Sequence, residues 1–260
     1  MKNALLKLAD GYDFSITNGL PLDMQLKRIK RLKKHIFFFL LILLIALMAY
    51  FYQIMKPFMF IKPVQTTQLD NLNLDDYDNL MIVAHPDDEF IFGGGHLLEG
   101  KYLVVCVTRG YDSIRSSEFA TMMNATADKG LILNYPDKIS QIRSKWIFHK
   151  KAIQKDLETI INYKKWNTIV THNSEGEYGH NQHILLHGIV DKACDKCGTK
   201  DNLYYFGKYY TKSSIPKDLE KIDSKLSDKK YEIKGIYKSQ AKTVDKLSHM
   251  FPYENFIKAE

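Results

Sequence analysis

The chain has 260 residues, a formal net charge of +7 and three cysteines, a length that suits one or two domains. The charge excess is local: Lys27, Arg28, Lys30, Arg31, Lys33 and Lys34 fall in one short stretch, and elsewhere lysines are scattered among acids as on a solvated surface. With no helix-turn-helix, zinc-finger or RNA-binding signature beside it, this charge pattern excludes nucleic acid as the expected partner.

Residues 1–35 read as a polar tail with a basic end. From Ile36 to Met55 the sequence is apolar, IFFFLLILLIALMAYFYQIM, a run matching the roughly 20 residues that cross bilayer hydrocarbon. Tyr50 and Tyr52 suit the interface. No charge breaks the run and no polar face appears, so 36–55 is expected as a transmembrane helix rather than a core helix. A cleaved signal peptide fits less well, because the basic region before it is long and no small-residue cleavage site follows. The cations crowd the amino-terminal flank, with only Lys56 and Lys62 beyond the run. The tail is therefore expected in the cytoplasm and the carboxyl-terminal domain across the membrane, although such a cluster also suits anionic lipid. Residues 56–78 contain Pro57, Pro63 and the polar run DNLNLDDYDN and read as a linker, leaving 79–260 as the folded domain.

Within it, Leu80–Ala84, Tyr102–Thr108, Leu131–Leu133, Thr168–Thr171 and Leu203–Phe206 are short apolar runs expected as strands. Helical stretches fall between them, near Phe90–Glu99, Ser116–Lys129, Lys145–Tyr163 and His180–Ala193. The alternation predicts an α/β fold, a mostly parallel sheet flanked by helices. Gly93-Gly94-Gly95 marks a turn. It is not a GxGxxG fingerprint, so no nicotinamide cofactor is expected. Cys106 sits in a strand and reads as a core residue. Cys194 and Cys197 read as one helical turn ending at Gly198 rather than as half of a zinc ribbon; in an oxidising compartment a local disulfide between them becomes available.

Two clusters carry chemistry. The first is HPDDE after Ala84. His85 and Asp88 are spaced to converge on one point at the end of a buried strand, where open α/β sheets place ligands, and Asp87 adds a second carboxylate. That is the layout of a metal site with a base beside it. The second is GEYGHNQH, in which His180 and His183 share a helix face at the end of another strand. Two imidazoles and one carboxylate with an open fourth position make a catalytic zinc set. His187, one turn deeper, reads as packing or support. Glu89 and Glu177 stand beside the motifs as candidates to orient a ligand, and Arg115 with Glu118 reads as a local helix-start pair.

AHPDDE with a following glycine run, then GEYGHNQH, resembles the PIG-L/LmbE family of zinc-dependent de-N-acetylases. VTRGYDSIRSSEF, Tyr135-Pro136-Asp137 and Tyr237-Lys238-Ser239-Gln240 extend the resemblance over Leu80 to Ile257. It implies a Rossmann-like fold and removal of acetyl from N-acetylglucosamine in a sugar or glycolipid. It also implies His85, Asp88 and His183 as ligands of zinc or another divalent transition metal, with Asp87 as general base. His180 would meet the oxyanion or protonate the leaving amine, and Tyr178 would polarise the carbonyl. Gln182 stands where the family usually has aspartate before the last histidine, which bears on the tuning of His180. The rival expectations are an amidase on another N-acyl compound and a silent glycan-binding relative. No oligomeric state is expected from the sequence.

Overall fold

The computed structural model describes residues 21–59 and 61–260. Most of the expected basic tail, residues 1–20, lies outside the described residues. The described residues divide into two units between Lys56 and Pro57.

Helix α1 (Leu22–Met59) carries both the basic cluster and the apolar run. Its large side chains from Ile36 to Tyr52 are exposed on all sides, as expected of a helix without a polar face. Its apolar part is long enough to cross a membrane by length and composition.

In the second unit a short α2 (Thr66–Asp70) precedes β1 (Asn79–Val83), α3 (Asp88–Glu99), β2 (Tyr102–Thr108), α4 (Ser113–Thr126) and β3 (Lys129–Tyr135). A two-stranded hairpin, β4 (Lys138–Ile139) with β5 (Ile142–Arg143), leads to α5 (Lys150–Ile161) and β6 (Thr168–Thr171). The short α6 (Gly176–Gly179) and long α7 (Asn181–Cys197) come before β7 (Leu203–Phe206). The chain finishes with α8 (Ser224–Ile233), α9 (Ala241–Leu247) and β8 (Phe256–Lys258).

The six-stranded sheet runs β3-β2-β1-β6-β7-β8, parallel except for the β7–β8 pair. The mostly parallel α/β fold expected from the strand–helix alternation is therefore the observed one. From β1 the chain steps outward to β2 and β3, then crosses to β6 on the other side. Leu80 is thus paired with Leu103 on one side and Ile169 on the other. This reversal makes β1/β6 the topological switch point, where parallel sheets leave a crevice at their carboxyl ends.

Strand alternation divides the core. Leu80, Ile82 and Ala84 face the cluster that includes Ile153, Leu157, Leu186 and Ile189 of α5 and α7. Met81 and Val83 face Phe90, Phe119 and Met122 of α3 and α4. The central strands β1, β2 and β6 are buried on both faces, which explains their unbroken apolar runs.

Three local readings change. Gly93-Gly94-Gly95 is not a turn but lies inside α3. A Cβ on Gly93 would meet Met81 Cε at 2.6 Å, and one on Gly95 would meet Glu254 Oε2 at 2.9 Å, so the glycines let α3 approach these side chains without displacing them. Part of the linker expected over 56–78 is packed, with Val64, Leu69 and Leu74 in the core. The lysine-rich α8 and the segment after it were not expected as elements. They hold because Lys230, fully buried, forms an ion pair with Glu254, and that carboxylate also accepts from the Gly95 amide at 2.8 Å. Cys194 and Cys197 are free and end α7, which Gly198 caps at φ +68°.

Candidate active site

The loop after β1 is held by its own side chains. The Asp88 carboxylate accepts from the His85 amide at 2.8 Å, which turns the chain sharply into α3. Asp87 takes φ +120°, a costly conformation for a residue with a Cβ. Several contacts hold it there. Arg115 donates to its Oδ1 at 3.1 Å and also to the Pro86 carbonyl. The Asp87 amide donates to Glu89 Oε2 at 3.1 Å, and Tyr237 donates its hydroxyl to the other oxygen of Glu89. The expected Arg115–Glu118 pair is replaced: Arg115 faces Asp87, while Glu118 accepts from the Ser239 amide at 2.7 Å.

After β6 the chain reaches His172 and a loop with Gly176 at φ +64° and Glu177 at φ +56°. Buried Glu177 accepts from two imidazoles, His172 Nδ1 at 3.0 Å and His183 Nδ1 at 2.5 Å. The rings of His172 and His183 stack at 3.8 Å. His187 lies outside this group, with Nδ1 on the His172 carbonyl at 3.0 Å.

The two loops bring His85, Asp88 and His183 together. His85 Nδ1 is 3.1 Å from Asp88 Oδ2, His183 Nε2 is 3.3 Å from the same oxygen, and the two nitrogens are 3.4 Å apart. A tetrahedral zinc site with ligand bonds of about 2.0–2.1 Å has edges of about 3.3–3.4 Å. The hydrogen bonds behind the ligands fit as well. His85 Nε2 meets Gln182 Oε1, an acceptor, at 2.8 Å, and His183 Nδ1 meets Glu177. In the neutral rings those nitrogens carry the protons, so the lone pairs of His85 Nδ1 and His183 Nε2 face Asp88. Two other groups lie close, His85 with His180 and His183, and Asp88 with His172 and His183. They fit less well. His180 Nε2 already accepts from Arg143, and His172 Nε2 accepts from the Ala84 amide at 3.0 Å.

The electrostatics match a cation site. Burial disfavours a charged His85, yet Asp88 and Asp137 outweigh it and raise its pKa to about 10. A metal ion entering there would displace that proton. Burial opposes the charge on Glu177 too, but His172 and His183 hold its pKa down to about 2. Asp87 is pushed well above the usual carboxylate range by burial and by the charge of Asp88, with Arg115 pulling against them. His180 is pushed down to about 3 by burial and by His183 and His85. Its neutral ring, accepting at Nε2, carries its proton on Nδ1, which is buried and without a partner among the described residues.

A cleft of about 880 Å³ opens over this group, lined by His85, Asp87, Asp88, Tyr178 and His180 together with Arg143. Its size suits a small-molecule site. All six residues singled out in the sequence therefore meet: five line the cleft and His183 lies buried behind them. Gln182 differs from expectation in its partner, since it orients His85 rather than His180 and donates to the Asp137 carbonyl at 3.1 Å. Arg143 and His172 were not anticipated. Arg143 sits on a two-residue strand too short to leave a pattern, whereas His172 had a usable signal, a polar residue ending a buried strand.

Residues 80–194 match the protein family described as PIG-L: GlcNAc-PI de-N-acetylase. An uncharacterized protein, L374, of Acanthamoeba polyphaga mimivirus is 33% identical over 186 residues, which cover 65% of this chain and 74% of that protein. The crystal structure of the antimicrobial reagent A40926 pseudoaglycone deacetylase Dbv21 aligns with a TM-score of 0.51 at 16% identity, covering 66% of this chain and 85% of that one. At that identity the likeness is one of fold.

Proposed function

This chain belongs to the PIG-L family of de-N-acetylases, and from that premise we propose that it hydrolyses the acetamido group of an N-acetylglucosamine-type sugar on a glycolipid or glycan. The observation that carries the reading is the convergence of His85 Nδ1, Asp88 Oδ2 and His183 Nε2 within 3.1–3.4 Å of one another, with the Asp87 carboxylate beside them. In this reading those three atoms hold a divalent metal, zinc by the chemistry of its nitrogen and oxygen donors. When bound, such an ion supplies Lewis acidity to the acetyl carbonyl and acidity to water.

The protein's own groups do the rest. Arg115 holds Oδ1 of Asp87, which leaves the other oxygen to take a proton from the attacking water. Water oxygen bonds to the acetyl carbon, and negative charge builds on the former carbonyl oxygen. Tyr178, whose phenol burial keeps protonated, donates to that oxygen. The neutral His180 donates a second proton with its ring turned so that Nδ1, buried in this structure, faces the cleft. Each such donor contributes on the order of 3 kcal/mol. The carbon–nitrogen bond then breaks as Asp87 returns its proton to the departing amine, giving acetate and a free amino sugar.

Helix α1 is read as the membrane anchor, with its basic amino-terminal end in the cytoplasm and the catalytic unit on the other side, following the asymmetry of lysine and arginine. Acetate release from an N-acetylglucosaminyl phospholipid, from a water-soluble N-acetylglucosamine glycoside and from non-sugar amides, each with and without chelator, tests the proposal. Chelator-sensitive release from the sugars supports it. Release only from other amides points to a different N-acyl substrate, and none at all points to a binding relative.

A further inference from the structure

The catalytic unit has an unusual edge. Its four most exposed large apolar side chains are Phe148 at 87%, Ile147 at 76%, Ile142 at 75% and Ile114 at 63%. Ile114 and the hairpin that carries Ile142 border the cleft, and Ile147 and Phe148 follow that hairpin in the chain. Ile114 lines the cleft directly, as does Arg143, the neighbour of Ile142. Side chains alternate along a strand, so Arg143 reaching in to Asp137 sets Ile142 facing out.

These side chains are held outward by a fixed framework. Trp146 is 1% exposed, and its indole donates to the Pro136 carbonyl at 2.8 Å, which pins the chain just before Ile147 and Phe148. The Ser144 amide donates to the Asp137 carbonyl at 2.7 Å. Exposing several anchored apolar groups in one place is unfavourable in water and marks an interaction surface.

Three features point to a lipid surface as the occupant. From Lys138 to Lys155 there is no carboxylate, and besides Arg143, which is turned in on Asp137, there are five lysines, Lys138, Lys145, Lys150, Lys151 and Lys155, so the apolar groups are set among charges that complement lipid phosphates. The chain also enters the unit at this edge: the ring of Phe58 lies 5.3 Å from that of Tyr111, and its carbonyl accepts from His149, next to Phe148, at 3.0 Å. Finally, the residues before Phe58 are the apolar run of α1. We propose that Ile114, Ile142, Ile147 and Phe148 form a lipid-docking rim that seats the mouth of the cleft on the bilayer, so that a lipid-linked amide is hydrolysed without leaving the membrane. The proposal rests on α1 as a membrane span.

The test uses the full chain in phosphatidylcholine nanodiscs, with Phe148→Trp as a reporter against the parent's Trp146 and Trp166. Part of the lipid carries a nitroxide high on the acyl chain. The expected result is blue-shifted added emission that the nitroxide quenches. In parallel, the Ile147→Asp/Phe148→Asp chain should lose about tenfold in hydrolysis of a bilayer-embedded N-acetylglucosaminyl phospholipid, equivalent to about 1.4 kcal/mol, and keep its rate on a soluble N-acetylglucosamine glycoside. Red-shifted, unquenched emission would overturn the proposal while leaving the anchor in place. Blue-shifted emission that lipid nitroxide does not quench would overturn it in favour of a protein partner. Equal loss on both substrates would overturn it by placing the defect in the cleft. Release of the parent chain from membranes by alkaline carbonate would overturn the anchor and the rim together, and loss of acetate release by the parent on every substrate would instead strike the deacetylase reading.

Discussion

Asp87 occupies a backbone conformation that costs on the order of 1–3 kcal/mol, and the contacts of Arg115, Glu89 and Tyr237 hold it there. Such outlay is understandable if the carboxylate must face the reacting water. Asp87→Asn keeps the shape and the acceptor for Arg115 but cannot take a proton. It is expected to retain its metal on elemental analysis while turnover falls by about 10²–10⁴, the usual worth of a general base. Wild-type turnover would remove Asp87 from that role. Glu177 acts through His183 and so is a positioning residue. In Glu177→Gln the oxygen that both imidazoles share loses its charge, and the new amide group faces the Asn173 amide, which donates to Oε1 at 3.0 Å. Metal binding should weaken by about 10–100-fold in a competition titration, with the His183 Nδ1 signal shifted in nitrogen NMR. Unchanged affinity would make Glu177 a packing residue. At this scale the sequence was legible where chemistry is local. HPDD and HxxH carry their geometry in their spacing, whereas Arg143 reaches His180 across 37 residues and has no spacing to read.

The strands and the helices behind them were visible because each is buried on one pattern: unbroken apolar runs for β1, β2 and β6, and three- and four-residue spacing for α5. The carboxyl-terminal elements were not, because α8 is packed through Lys230 and its partner Glu254, a tertiary ion pair hidden in an otherwise polar sequence. Another tertiary contact ties the α4–β3 connection to β2, where Asp128 accepts from the Tyr102 amide at 2.8 Å and leaves its other oxygen buried without a partner among the described residues. Burial pushes its pKa from 3.8 up to about 7. Between those values the folded chain holds a proton that the unfolded chain has lost, so this group makes stability fall as pH rises from about 4 to 7 and then level off. Asp128→Asn removes the titration. Its stability relative to wild type should climb across that window by up to a few kcal/mol, at 1.36 kcal/mol per pKa unit, in urea unfolding at a series of pH values. Parallel pH profiles would mean that Asp128 is solvated in the folded protein.

Across the molecule, function depends on one topological fact. His85 and Asp88 follow β1, His183 follows β6, and these strands are neighbours only because the chain reverses direction between them. The sequence indicated two strand-end clusters in a parallel sheet, and adjacency at the switch point followed from where such sheets bind ligands. It could not indicate which face of the catalytic unit would be apolar, because Ile142, Ile147 and Phe148 look like ordinary core residues until the fold leaves them outside. The direct test of the central claim is an anomalous-scattering map of the protein loaded with zinc. A single ion should lie within about 2.0–2.2 Å of His85 Nδ1, Asp88 Oδ2 and His183 Nε2. An ion held by His180 or His172 without His85, or no ion at all, would contradict it.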